Sequence, residues 1–148
     1  MKTLVIVTGY NSPGKHDATG AFLPEARSFR ALHGGTVHAD GHSNPGGAWL
    51  EFASPWTSAK RRSATETAIR GEPGLDVLAV FGHGTASSLI ATGHNLATVD
   101  TLAAAIGFGS EHAGTVILYA CSTAFGRTGF ADRLADLLPN ANVWAHTT

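Results

Sequence analysis

Short apolar runs alternate with longer amphipathic stretches along most of the chain. Each run is continuous rather than alternating, a pattern typical of parallel strands that are buried on both faces. The predicted strands are Thr3–Val7, Val77–Phe81, Val116–Tyr119 and Asn142–Ala145, with a weaker fifth strand at Thr36–Ala39.

The stretches between these runs carry apolar residues at helical spacing. Phe22, Ala26 and Phe29 share one face of the first predicted helix. Thr98 is the expected N-cap of a later helix that reaches Ile106, and Asp100 lies in its first turn, where the helix dipole favours an acid. The predicted helices are Leu23–Leu32, the more exposed Ser58–Arg70, the segment from Thr98 to Ile106, and Phe130–Leu138, and Ser88–Leu96 is predicted as a hairpin that turns at Thr92-Gly93. This alternation predicts an α/β fold, with a mainly parallel, doubly wound sheet and helices on both faces.

Two reactive side chains directly follow predicted strands. His83 comes just after Val77–Phe81, and Cys121 comes just after Val116–Tyr119. Ligands of open parallel sheets bind beyond the C-terminal ends of the strands, so neighbouring strands would place both side chains in one crevice. A cysteine thiol becomes a good nucleophile beside an imidazole, which later protonates the leaving amine. The backbone N–H groups of Gly84 and Cys121 are the expected donors to the oxyanion of a tetrahedral intermediate.

A hydrophobic block, His-Gly, a spacer, a second hydrophobic block and Ala-Cys occur here in that order. The matching segments are Asp76–Gly84 and Val116–Thr123. This arrangement resembles the caspase-like cysteine peptidases, a group that includes caspases, metacaspases, gingipain-type proteases, separases and CHAT domains. The resemblance implies a thiol protease that hydrolyses peptide bonds in a protein or peptide substrate, with Cys121 as nucleophile and His83 as acid–base partner. It implies neither an organic cofactor nor a metal.

Two features depart from the pattern of that group. Many members carry a polar or acidic residue two positions before the nucleophile, where it lines the pocket for the substrate residue that precedes the scissile bond, but this chain has Tyr119. Asp17, in the loop after the first strand, is the other candidate for that pocket. The group's domains usually continue past the strand that corresponds to Asn142–Ala145, so we expect residues 1–148 to form one caspase-like domain, either minimal or a truncated or processed large subunit. In the second case another chain would complete the sheet at that edge strand.

Composition narrows the functional classes. The chain has 148 residues, and its 10 Lys and Arg against 11 Asp and Glu give a formal charge of −1, so it lacks the basic field that nucleic-acid binding requires. No apolar run approaches the roughly 20 residues that span a bilayer, so no membrane partner is expected. A single cysteine, Cys121, excludes an internal disulfide, and the expected compartment is the cytoplasm.

Two alternative functions remain open at the level of sequence. One is a catalytically silent caspase-like module that binds or regulates a partner. The other is a metal site, since His38, Asp40 and His42 would share one face of an extended segment and could bind Zn²⁺. An exposed polar edge explains the same three residues without metal.

Overall fold

The computed structural model describes residues 2–8, 22–33, 49–52, 57–107 and 114–148. Helices and strands alternate along these segments, as the sequence predicts. They are β1 (Thr3–Thr8), α1 (Leu23–His33), β2 (Trp49–Phe52), α2 (Ser58–Arg70), β3 (Val77–Phe81), β4 (Ser88–Leu89), a 3₁₀ turn (Ile90–Thr92), β5 (His94–Asn95), α3 (Val99–Ile106), β6 (Gly114–Tyr119), α4 (Phe130–Leu137) and β7 (Ala141–Ala145).

Five of the strands form one parallel sheet in the order β2-β1-β3-β6-β7. The mainly parallel α/β fold is therefore confirmed, and so is the adjacency of β3 and β6. Phe81 at the end of β3 pairs with Val7 on one side and with Tyr119 on the other. Because all these strands run the same way, the segments that follow β3 and β6 leave the sheet side by side, at the C-terminal ends of the strands.

Apolar side chains pack against both faces of the sheet. The odd-numbered residues Val5, Ala79 and Phe81 contact Ala26 and Phe29 of α1. The even-numbered strand residues face α2, α3 and α4 instead, in a larger cluster that includes Leu4, Ile6, Leu78, Val80, Val116, Leu118, Ile69, Leu102, Phe130 and Leu134. Side chains alternate across a strand, so a continuous apolar run supplies both clusters at once.

Burial on both faces holds for β3 but not for β6. All five residues of β3 are buried, whereas Thr115 and Ile117 are only half-buried and Tyr119 is exposed. These three residues lie on the α1 side of the sheet, and α1 packs over β1 and β3. The expectation of a strand buried on both faces is therefore wrong for the second strand of the candidate site.

The hairpin between β3 and α3 is confirmed. β4 and β5 pair antiparallel, and Gly93 adopts the left-handed conformation (φ 74°) at the predicted turn. Thr98 does stand at the start of α3, but its side chain does not cap the helix. Its hydroxyl instead accepts a hydrogen bond from the N–H of Asn95 at 2.9 Å and so closes the loop that leaves the hairpin.

The two edges of the sheet differed in how well the sequence predicted them. The last predicted strand, β7, lies at one edge, as expected. The opposite edge is β2, a segment that the sequence analysis did not recognise as a strand, while Thr36–Ala39 lies outside the described residues. None of the helices in the described ranges is both long enough and apolar enough to cross a membrane.

Candidate functional site

His83 and Gly84 leave the sheet directly after β3. The N–H of Gly82 donates to the carbonyl oxygen of Tyr119 at 3.2 Å, which extends the β3–β6 pairing by one residue. His83 is half-buried, and its ring meets the edge of Phe22 at a centroid distance of 4.9 Å and an interplanar angle of 88°. Its carbonyl oxygen accepts a hydrogen bond from Ala91 at 3.1 Å. One contact therefore holds the ring of His83 and the other holds its backbone.

Cys121 lies in a tight turn after β6 and is exposed to solvent. The residue before it, Ala120, is buried, and Ser122 after it has a φ of 57°, the left-handed conformation that side chains disfavour. The buried hydroxyl of Thr123 donates to the carbonyl oxygen of Ala120 at 3.2 Å and fastens the turn. Cys121 is therefore exposed, while a buried hydrogen bond stabilises the backbone of the turn.

The same turn is hydrogen-bonded to the segment that follows β7. The N–H of Ser122 donates to the carbonyl oxygen of Thr148 at 3.1 Å, and the N–H of Ala124 donates to that of His146 at 2.8 Å. On its other side, the carbonyl oxygen of Thr123 accepts from the N–H of Ala131 in α4 at 2.9 Å. The conformation around Cys121 is therefore fixed by two neighbouring elements.

Gly84 is the point at which the two loops touch. A Cβ placed on Gly84 would lie 2.6 Å from Thr123 Cγ2, 3.0 Å from Ala120 Cβ and 3.1 Å from the carbonyl oxygen of Cys121. Carbon atoms in ordinary contact are about 3.5–4.0 Å apart, so only glycine fits here without displacement. The structure therefore brings the His-Gly and Ala-Cys segments into direct contact, as the strand order requires.

The two predicted oxyanion donors differ from their neighbours in hydrogen bonding. The N–H groups of Gly82, Thr85 and Ser122 all donate to backbone carbonyl oxygens. Within the described part of the chain, neither Gly84 nor Cys121 donates a backbone hydrogen bond. This difference makes the two N–H groups the candidate donors to an oxygen atom of a ligand.

A pocket of about 210 Å³ opens beside the thiol. The described residues that line it are Phe22, Tyr119, Ala120, Cys121, His146 and Thr148. The ring of Tyr119 packs at a tilt against Phe81, with centroids 5.2 Å apart, and meets the edge of the His146 ring at a centroid distance of 4.9 Å. Of the two residues predicted to line a substrate pocket, Tyr119 is placed there and Asp17 lies outside the described residues.

Phe22 and His146 also belong to this site, although the sequence pattern did not indicate them. Phe22 was assigned only to the buried face of a helix, yet it also borders His83. His146 follows β7 in the same way that His83 follows β3 and Cys121 follows β6. The rule that selected polar residues at strand ends would have found His146 if it had been applied to the last strand.

The alternative metal site is outside the described part of the chain, because His38, Asp40 and His42 all fall there. Within the described ranges, no group of three or more His, Cys, Asp or Glu side chains is placed to hold a metal ion.

A buried histidine on β5 lies outside the pocket. His94 is 1% exposed, its Nδ1 and the hydroxyl oxygen of Thr92 share a hydrogen bond at 2.8 Å, and its Nε2 lies 3.9 Å from a carboxylate oxygen of Glu66. The pKa of His94 falls from 6.5 to about 4, chiefly because burial disfavours the charged ring. Of the smaller effects, Glu66 and the hydrogen bond with the Thr92 backbone raise this pKa, and Arg62 lowers it. The ring is therefore neutral at pH 7 and belongs to the core under the hairpin.

Comparison with protein families gives one match, to a family described as "Domain of unknown function (DUF8616)", over residues 23–148. Comparisons with curated proteins and with solved structures give no match. The matched range contains His83, Gly84, Tyr119, Cys121 and His146. Because it covers most of the sequence, the chain belongs to the DUF8616 family.

Proposed function

We propose that this chain is a caspase-like cysteine peptidase in which Cys121 attacks the scissile carbonyl and His83 transfers the protons. The observation that carries the proposal is the pairing of Phe81 with Tyr119 on adjacent parallel strands. His83 and Cys121 each follow two residues later, so both lie beyond the C-terminal ends of neighbouring strands. Two chemically complementary residues at equivalent positions on neighbouring strands favour a shared chemical role over two unrelated structural ones.

The topology supports the doubly wound arrangement that the resemblance implies. The chain moves outward in one direction from β1 to β2 and in the other direction from β1 through β3 and β6 to β7. In open parallel sheets, the crevice for a ligand lies outside the C-terminal strand ends at such a reversal. The reversal here lies between β1 and β3, and β3 is the strand that leads into His83.

The conformation of Ser122 also favours a nucleophilic role for its neighbour. A left-handed conformation at a residue other than glycine costs on the order of 1–2 kcal/mol and persists only where the surroundings enforce it. Here the enforcing contacts are hydrogen bonds from Ser122 and Ala124 to the segment after β7. A sharp turn directly after a strand exposes a nucleophile at the top of the sheet.

The proposed reaction has two steps. The thiolate of Cys121 forms a bond to the carbonyl carbon, the electron pair of the C=O π bond moves to oxygen, and the N–H groups of Gly84 and Cys121 donate to that oxyanion. The C–N bond then breaks as protonated His83 gives its proton to the leaving amine, which leaves a thioester on Cys121. In the second step His83 removes a proton from water, the hydroxide attacks the thioester, and the carboxylic acid departs as the thiol regains its proton.

Peptide hydrolysis by matched variants tests this proposal. Wild-type protein should cleave members of a mixed peptide library, and cleavage should be mapped by mass spectrometry. Cys121→Ala should abolish cleavage, and His83→Ala should lower kcat by about 10²–10⁴-fold, the usual contribution of an acid–base group. His33→Ala is the matched control, because His33 ends α1 about 16 Å along the helix from its start beside the site.

Cleavage that survives in Cys121→Ala would exclude Cys121 as the nucleophile. The absence of any cleavage by the folded wild type would instead favour the catalytically silent module. In that case the proposed fold would stand and the assignment as an enzyme would not.

A further inference from the structure

The pocket beside Cys121 is lined by aromatic rings. Tyr119 is 40% exposed, so part of its ring can contact a ligand. His146 and Phe22 also line the pocket. Offset and edge-to-face ring pairs with centroids about 4.5–7 Å apart are favourable, and the pairs already present at Tyr119 fall in that range. A further ring can therefore extend an existing aromatic cluster.

The described part of the lining contains no side-chain carboxylate that would pair with a cationic substrate side chain. None of the described side chains around the pocket carries a carboxylate, an ammonium or a guanidinium group. A cationic side chain that entered would lose hydration without gaining a carboxylate partner from these residues, which is costly. The described lining therefore disfavours Arg and Lys side chains.

The size of the pocket suits a single ring. A cavity of about 150 Å³ holds benzene, and this pocket is about 210 Å³. Its position also restricts which substrate residue enters. Cys121 itself forms part of the pocket wall. The substrate residue whose carbonyl is attacked has its side chain on the adjacent Cα, so this side chain is the one that lies nearest the pocket.

We propose that this pocket binds the aromatic side chain of the substrate residue whose carbonyl Cys121 attacks, so that the enzyme cleaves after Phe, Tyr or Trp. This inference rests on the proposed peptidase function and specifies its substrate class. The aromatic ring gains from burial and from ring contacts with Tyr119 and His146.

Four fluorogenic peptides that differ only in the residue before the scissile bond provide the test. With Phe at that position, kcat/KM should exceed the value for Ala by at least tenfold, since filling an apolar pocket discriminates by about 10–200-fold per methylene-sized group. Peptides with Arg or Asp should be cleaved no faster than the Ala peptide. A preference for Arg, Asp or Ala with cleavage still dependent on Cys121 would overturn the substrate class and leave the proposed function intact.

Variants of Tyr119 identify the pocket responsible. Tyr119→Ala should reduce the Phe-to-Ala ratio of kcat/KM at least tenfold. Tyr119→Asp should reverse the preference towards Arg, a gain that misfolding cannot imitate. Trp144→Ala is the matched control, because Trp144 is an exposed aromatic residue of the neighbouring strand that does not line the pocket, and the ratio should be unchanged. An equal loss in Trp144→Ala, or no change in either Tyr119 variant, would contradict the assignment.

A binding measurement separates the two proposals if turnover is slow. Peptide aldehydes that end in Phe, Arg or Asp add the thiol across their C=O bond, with sulfur bonded to carbon and the proton on oxygen, and they shield Cys121 from iodoacetamide. The Phe aldehyde should protect at a concentration at least tenfold lower than the other two. Protection that is equal for all three overturns the aromatic preference, whereas no protection by any of them counts against the nucleophilic cysteine itself.

Discussion

Replacing Gly84 with alanine tests the contact that joins the two halves of the candidate site. The added Cβ would meet Thr123 Cγ2 at 2.6 Å, Ala120 Cβ at 3.0 Å and the carbonyl oxygen of Cys121 at 3.1 Å. Two of these three atoms belong to buried side chains, and the third belongs to the backbone of the turn, so none can move aside alone. The alanine must push the Cys121 turn away from the end of β3.

The expected cost follows from two opposing effects. Overpacking of a close contact destabilises by roughly 1–3 kcal/mol. Gly84 is not in the left-handed conformation, so alanine can adopt its backbone geometry. Alanine also lowers the entropy of the unfolded chain, which raises the free energy of unfolding by about 0.4–1 kcal/mol. Gly84→Ala should therefore lower the free energy of unfolding by about 1–2 kcal/mol.

Urea unfolding followed by circular dichroism measures this change as a lower midpoint at constant slope. Gly71→Ala is the control, since Gly71 has a φ of −73° and its added Cβ would meet only carbonyl oxygens at 3.4 Å. That variant should be as stable as the wild type or slightly more stable. Thr123→Ser removes the closest methyl but keeps the hydroxyl, so it should recover at least about 0.5 kcal/mol of the loss when combined with Gly84→Ala. Equal midpoints for Gly84→Ala and Gly71→Ala would refute the contact between the loops.

Two further predictions concern the hairpin that covers the core. The pKa of His94 is about 4 in the folded chain and 6.5 in the unfolded chain, so between these pH values only the unfolded chain binds the proton. The free energy of unfolding should therefore be highest above pH 6.5 and should fall by about 3 kcal/mol as the pH drops to 4. His94→Gln should remove this part of the pH dependence in urea titrations, and an unchanged profile would contradict the burial of a neutral ring. Arg62→Met should lower the free energy of unfolding by about 1 kcal/mol, because Arg62 donates a hydrogen bond to the carbonyl oxygen of Gly93 at 2.9 Å. Arg70→Met, at the exposed end of α2, should change it by less than about 0.5 kcal/mol. Equal effects of the two arginine substitutions in thermal unfolding would argue against that bond.

The elements that carry the candidate site were predictable because their signals are local. Val77–Phe81 is apolar throughout and is bounded by Asp76 and Gly82, so both its limits are visible in the sequence. The turn at Gly93 is equally local, because a left-handed conformation selects glycine. Both features depend on neighbouring residues alone.

The features that the sequence did not indicate depend on contacts between distant segments or, at Thr98, on competition between local hydrogen bonds. β2 includes a glutamate, Glu51, in a run of only four residues, and its strand conformation depends on pairing with β1. Thr98 was expected to cap α3, but its hydroxyl serves the N–H of Asn95, a competing local bond that sequence alone does not rank. Arg61 and Arg62 lie on the helix that the sequence predicts to be more exposed, yet both donate to carbonyl oxygens of the hairpin and are only half-exposed.

The pocket illustrates the same limit. Tyr119 follows from its position two residues before Cys121, but Phe22 and His146, which line the same pocket, lie far from it and from each other in the sequence. The close approach of Gly84 to Ala120 and Thr123 is a property of the β3–β6 register, which no local pattern encodes.

The central claim is that His83 activates Cys121, and the rate of alkylation at that residue tests it most directly. The chain has one cysteine, so iodoacetamide modifies a single thiol whose reaction can be followed by intact mass. Only the thiolate reacts, so an activated cysteine should react at pH 7 at least about tenfold faster than glutathione. His83→Ala should lower the rate to that of glutathione or below, while His33→Ala should leave it unchanged. A slow reaction in the folded wild type that accelerates only in denaturant, or a rate that His83→Ala does not alter, would contradict the account.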